Sequence, residues 1–246
     1  MAVKNIIYKL RTGSVLYGTT IETSDEDLAG IFIPDKEYIL GIQHCEQVLL
    51  SEKRSKTVRN QKGDIDYTLY SLPKFIQLAI GNNPNIIEFL YASEQCQLYM
   101  TDYAKELIQY RDYFLSKKSY HTFKGYAYAQ RIKLQVKKEN MTGRTELAEK
   151  YGYDTKFASH LIRLLLECQQ VLVEHTLDFP LSQNNLVRDI KLGKYSLEEV
   201  LVKADELEKL IDLAYTTSDL QHHANTEEIN KLQIRLLEDF WRYSSE

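Results

Sequence analysis

The sequence predicts an α+β protein in two parts, a strand-bearing α/β lobe over residues 1–100 and an all-helical lobe over 101–246. Three observations carry this. Short Ile-rich runs bounded by turn residues mark the first seventy positions, apolar residues spaced by three and four dominate the chain after residue 100, and only 4 Pro and 10 Gly leave little room for linkers. Strands are expected at 6–10, at 28–33 before Pro34, and at 66–69 after the turn signal Lys62-Gly63-Asp64. Ser71 then suits a helix N-cap with Pro73 in the first turn, and Phe75, Ile76, Leu78 and Ala79 form a stripe that Gly81 ends. Asn82-Asn83-Pro84 breaks the chain. A second helix restarts at Asn85, with Glu88 three residues on in capping-box spacing. Five longer helices follow, at 101–115, 120–136, 154–173, 197–214 and 226–241.

With 246 residues, 43% hydrophobic and 27% charged, the chain has enough apolar material for a core and a site between lobes. No apolar stretch approaches the roughly 20 residues a membrane-spanning helix needs, and the first ten residues lack the apolar core of a secretion signal. A cytoplasmic protein with no membrane partner is expected. Cys45, Cys96 and Cys168 are odd in number and far apart, which fits reduced thiols used in packing. The net charge of −4 hides an uneven distribution. Residues 117–138 hold seven Lys or Arg and no acid, with Tyr120, Tyr126 and Tyr128 among them, whereas residues 198–239 hold eleven acids against four bases. The first run could hold a polyanion such as RNA, or the two could be oppositely charged helix faces packed together. Lys53, Arg54, Lys56, Arg59 and Lys62 form a smaller basic run that would either guide an RNA strand or make a solvated hairpin.

Chemistry concentrates in residues 13–27, where Gly13-Ser14 is followed ten residues later by Asp25-Glu26-Asp27. Gly13 permits close backbone approach, and its amide with the Ser14 amide and hydroxyl could cradle phosphate oxygens. Asp25 and Asp27, two apart on a strand, share a face and would repel each other without a cation between them. Glu26 points the other way and must turn to solvent or to a base. Magnesium suits paired carboxylates, with phosphates and water completing its octahedron; manganese could substitute. A third carboxylate is expected from the 66–69 strand, as Asp66 or, on the same strand face, Asp64.

The helix starting near Asp154 carries Lys156, His160 and Arg163 at i, i+4 and i+7 among apolar residues. A basic stripe on so apolar a helix faces either a phosphate-bearing cleft or carboxylate partners, with Asp154 and Glu167 the nearest in sequence. His222-His223 has no supporting ligand pattern and reads as exposed loop.

The run GSVLYGTTIETSDEDLAGIFI over 13–33, then YSLPKF over 70–75, NPNIIE over 83–88 and YGYDTKFASHLIR over 151–163, resembles the RNA-repair-associated branch of the DNA polymerase beta superfamily of nucleotidyltransferases, found in bacteria and phages. Four blocks in order cover most of the chain. The resemblance implies a mixed-sheet catalytic lobe followed by a helical lobe that helps bind nucleotide and acceptor. It implies that Gly13 and Ser14 contact nucleotide phosphates, that Asp25 and Asp27 ligate two magnesium ions, and that Asp66 ligates one of them while helping to deprotonate the acceptor hydroxyl. The implied reaction moves a nucleoside monophosphate from a nucleoside triphosphate to an RNA end, tRNA included, or, as in superfamily antitoxins, to a protein hydroxyl.

Overall fold

The Ile-rich runs pair into one sheet because their apolar side chains have a layer of helices to bury against. The computed structural model describes residues 4–22, 24–52, 65–135 and 145–243. In chain order these form β1 (Ile6–Arg11), α1 (Gly13–Tyr17), β2 (Glu26–Phe32), α2 (Lys36–Leu40), β3 (Gln47–Glu52), β4 (Ile65–Ser71), α3 (Leu72–Ile80), α4 (Pro84–Ile87), β5 (Gln97–Met100), α5 (Asp102–Gln109), α6 (Lys118–Gln135), α7 (Thr145–Tyr151), α8 (Thr155–Glu174), α9 (Asn184–Lys191), α10 (Leu197–Thr217) and α11 (Thr226–Tyr243). The sheet runs β3-β4-β2-β1-β5. β2 and β4 are parallel, and every other described pairing is antiparallel, so the sheet is mixed.

Ser71 caps α3 as expected, its hydroxyl accepting from the Lys74 amide at 3.4 Å with Pro73 in the first turn. The next helix start differs from the expectation. Asn83, not Asn85, caps α4, accepting from the Asn85 amide at 3.1 Å, and Glu88 makes no capping box. Its carboxylate is buried 3% exposed at the start of a 3-10 turn, Glu88–Tyr91, where Tyr17 donates to it. The single helix expected over 101–115 is also divided. α5 ends at Gln109 and a 3-10 turn follows at Arg111–Tyr113, after which Gln221 Nε2 donates to the carbonyls of Asp112, Tyr113 and Leu115.

Among the described residues secondary structure becomes purely helical after Met100, yet one hydrophobic core runs continuously from Ile7 to Leu237 across that point. α8 is the axis of the helical part, packed against α6, α9 and α10 and apolar on nearly all sides. The two oppositely charged runs meet. Lys124 pairs with Asp212, and Arg131 pairs with Asp205 and Glu208, so α6 and α10 neutralise each other at these positions. Tyr120 is likewise committed, stacked on Tyr215 at 4.3 Å and donating to Asp212 at 2.9 Å. Tyr128 remains exposed, and Lys137 and Lys138 lie outside the described residues, as do Asp64 and the basic run from Lys53 to Lys62. No helix among the described residues is long and apolar enough to cross a membrane.

Candidate active site around Asp27

Asp27 sits in the central strand of the sheet, and its register partner across the parallel β2·β4 pair is Asp66. Adjacent strands lie about 4.8 Å apart with register partners on the same face, so the two carboxylates are immediate neighbours. Asp25 stands two residues before Asp27, just ahead of the first paired residue of β2. Between them Glu26 turns to a base as anticipated, accepting from Arg11 Nε at 3.0 Å.

The turn into α1 is fastened to the backbone of the same residue. Thr12 donates its amide to the Asp27 carbonyl at 2.9 Å and its hydroxyl at 3.3 Å. Gly13 follows with a φ of +62°, and a Cβ there would collide with Asp27 Oδ2. Both facts require glycine. Ser14 Oγ, one residue after the glycine that abuts Asp27, is buried with no hydrogen-bond partner among the described residues. Gly18, at φ +72°, ends the helix.

Burial and then the charge of Asp25 raise the Asp27 pKa, with Asp66 adding in the same direction; Lys156 and Lys191 pull it back down. Lys156, the first of the three stripe cations on α8, thus lies where its charge acts on Asp27. Asp154 caps that helix, accepting from the amides of Lys156 at 2.9 Å and Phe157 at 3.2 Å, and this sets where Lys156 starts. His160 lies half-buried one turn further along.

Arg163 corrects the expectation of a phosphate-facing stripe. Its side chain is only 3% exposed, donating from Nη1 to both oxygens of Glu167 at 2.9 and 3.0 Å, with Glu88 at 3.8 Å and the Tyr17 ring 4.1 Å away. It belongs to a buried ion-pair network that packs α8 onto α1. The stripe reading put Arg163 on the face of Lys156, and Glu167 one turn beyond it claims the guanidinium.

Lys191, the last residue of α9, is the site residue that sequence reasoning missed. Its Nζ donates to the Ser24 hydroxyl at 3.1 Å and the Thr19 carbonyl at 3.4 Å, in the loop leading to Asp25. The available signal was the stripe of Leu186, Val187 and Ile190, which would have identified α9 and put Lys191 at its end.

Among the described residues no three His, Cys, Asp or Glu side chains are gathered closely enough to hold a metal by themselves. Magnesium is ordinarily held by one or two carboxylates, with substrate phosphates and water supplying the rest. The donor set here consists of hard carboxylate oxygens beside the unpartnered Ser14 hydroxyl, and it fits such an ion. His222 and His223 are exposed, and all three cysteines are free thiols, Cys96 and Cys168 buried.

Known proteins resemble this chain in part. An uncharacterized 38.9 kDa protein from the nrdC-mobD intergenic region of Enterobacteria phage T4 is 34% identical over 85 residues, 35% of this chain and 25% of the phage protein. An uncharacterized protein of Methanocaldococcus jannaschii, MJ0002, is 31% identical over 121 residues, 49% of this chain and 46% of its own length. The chain therefore spans less than half the length of these curated relatives. A nucleotidyltransferase-like protein from Exiguobacterium sibiricum aligns over 86% of this chain and 70% of its own at 13% identity, with a TM-score of 0.32. A family model matches from residue 2 to residue 245, and by that match the chain belongs to the RNA repair pathway DNA polymerase beta family.

Proposed function

We propose that the protein is a magnesium-dependent nucleotidyltransferase that moves a nucleoside monophosphate from a nucleoside triphosphate to a hydroxyl at an RNA end, tRNA included. The observation that carries the reading is Asp27: it is paired in register with Asp66, it feels the charge of Asp25, and it lies against the Gly13 turn with the unpartnered Ser14 hydroxyl beside it. In this reading Asp25 and Asp27 hold the metal, Gly13 and Ser14 receive phosphate oxygens, and Lys156, with His160 one turn on, faces the phosphate chain. Bound magnesium would offset charge on the phosphate oxygens and on the departing pyrophosphate. The acceptor oxygen bonds to the α-phosphorus, the bond to pyrophosphate breaks, and Asp66 takes the acceptor proton. Positioning and charge neutralisation supply most of the rate.

RNA as acceptor rests on the family's description. A protein hydroxyl is the second reading, favoured by the pairing of Lys124 and Arg131 with α10, which takes two cations away from any RNA-binding face. Incubation with each labelled triphosphate, magnesium and a mixture of cellular RNA and protein tests both, because the labelled fraction identifies the acceptor. Asp25→Ala combined with Asp27→Ala is expected to abolish labelling with the circular dichroism spectrum unchanged. Undiminished transfer by that double variant would sink the assignment.

A further inference from the structure

The five residues of α1 are too few to hold a helix by themselves, so its position is set by what grips it. At its start, the Thr12 amide donates to the Asp27 carbonyl at 2.9 Å, and Gly13 lies so close that a Cβ would collide with Asp27 Oδ2. At its end, Tyr17 enters the interior and its hydroxyl donates to Glu88 Oε2 at 2.7 Å. Ser14 and Tyr17 are three residues apart and share one side of the turn. Whatever fixes Tyr17 therefore also fixes Ser14 and the glycine that abuts Asp27.

The grip on Tyr17 is polar in a place where apolar side chains would serve for packing. Glu88, Arg163 and Glu167 are each at most 3% exposed, and the Arg163 guanidinium lies 4.1 Å from the Tyr17 ring centroid. Burying such a network costs desolvation, and replacing one by apolar residues of similar volume is often neutral or stabilising. Arg163 is already matched by Glu167, whose two oxygens accept from Nη1 at 2.9 and 3.0 Å. Glu88, at 3.8 Å, is a second acid that the charge balance does not need. What it supplies is direction. An apolar residue at 88 would fill the space and leave the Tyr17 ring free to slide, whereas the carboxyl holds the hydroxyl at one distance and angle. Glu88 stands on a firm base for this. The carbonyl of the next residue, Phe89, accepts from the Tyr8 hydroxyl of β1 at 3.2 Å, and the Phe89 ring stacks on Phe75 of α3 at 5.7 Å.

We propose that Glu88 is a positioning residue of the candidate site: by holding the Tyr17 hydroxyl it fixes α1, and with it the Gly13-Ser14 turn, where triphosphate binding beside Asp27 requires it. This rests on the nucleotidyl-transfer reading above.

The test is equilibrium titration of the full-length protein with each nucleoside triphosphate in magnesium, beside urea unfolding of the same variants. Tyr17→Phe combined with Glu88→Leu removes donor and acceptor together and keeps Arg163 on Glu167, so its unfolding midpoint is expected to stay near that of the wild type. Its triphosphate binding is expected to weaken about tenfold, within the roughly 100-fold that an ångström of misplacement can cost. Glu88→Gln keeps a carbonyl oxygen for the Tyr17 hydroxyl and is expected to bind triphosphate like the wild type. Ile211→Val, which trims the buried core in α10, is the stability control: a lower midpoint with unchanged affinity is expected. Should the double variant not fold, Tyr17→Phe alone, which loses a single oxygen, is read the same way. Wild-type affinity in the folded double variant overturns the proposal, as does a Glu88→Gln variant that binds as weakly as the double one. Affinity that merely tracks the midpoint across all variants, Ile211→Val included, assigns the network to stability alone and overturns it too. A wild-type protein that binds no triphosphate overturns the nucleotidyl-transfer reading itself, which separates the two failures.

Discussion

One guanidinium serves two carboxyl groups in the interior behind α1. Arg163 binds Glu167 through Nη1 at 2.9 and 3.0 Å, and Glu88 stands further off at 3.8 Å. Burial raises the Glu167 pKa, but Arg163 pulls it back, so Glu167 takes the single positive charge. Glu88 is left with burial as its dominant influence and is pushed up to about 8, although Arg163 and the Tyr17 hydroxyl, which donates to it at 2.7 Å, oppose the shift. At neutral pH the folded protein therefore holds a proton there that an unfolded chain, with an ordinary value of 4.5, has released. The sign follows from that difference. The stability Glu88 contributes is complete below about 4.5 and is lost as pH rises toward about 8. Glu88→Gln, neutral at every pH and similar in shape, is expected to flatten the stability curve over that window, measured by denaturant unfolding at several pH values. A wild type and variant with parallel curves would refute the protonated Glu88. The sequence offered Glu88 only as a helix cap, because nothing in its spacing says that Tyr17 and Arg163, from distant segments, enclose it.

At the scale of elements, legibility followed the strength of the local pattern. β1, β2, β4, α3 and α8 were readable because each combines a run of the right period with a cap or a breaker: Pro34 after β2, Ser71 before α3, Asp154 before α8. A strand carrying a third carboxylate near Asp25 and Asp27 was readable, but the choice between Asp66 and Asp64 was not, because the register that pairs Asp27 with Asp66 is set by the parallel β2·β4 pairing of two distant segments. α1 has five residues and β5 four, too short for any period to show, and the edge strand β3 leaves Leu49 and Leu50 exposed instead of alternating cleanly. For the charged runs, the sequence left packing and RNA binding as competing readings, and pairing between α6 and α10 now weighs for packing. Replacing Lys124 and Arg131 together by alanine is accordingly expected to change acceptor affinity less than twofold. Each surface pair lost would cost stability at most about 1 kcal/mol. Filter binding of labelled RNA checks the first figure and thermal melts the second. A large loss of RNA affinity in that variant would restore α6 as the acceptor face.

At the scale of the whole molecule, the candidate site is shared between the two parts of the chain. The carboxylates come from the sheet and both lysines from helices beyond residue 100, so the site exists only when the two parts are docked. Several contacts hold the docking: Tyr17 meets Phe179 with ring centroids 6.0 Å apart, the Thr101 amide donates to the Ile7 carbonyl at 2.9 Å, and Trp241 Nε1 donates to the Pro34 carbonyl at 3.0 Å. The continuous core implies that neither part buries its apolar surface without the other. Chains longer than about 150 residues often unfold in stages. Here a single cooperative transition is expected instead, because separating the parts would expose the inner faces of α1, α3 and α8 together. The single tryptophan makes this measurable. Trp241 is in α11 yet hydrogen-bonded to the segment after β2, so its fluorescence reports the docking, while far-UV ellipticity reports mainly the helices. Coincident midpoints for the two signals in urea are the expected result, and a fluorescence change preceding the loss of helix would mean that the lobes separate before they unfold. Lys191→Ala should leave that coincidence intact, since its loss removes a charge from the site without touching the core that joins the two halves.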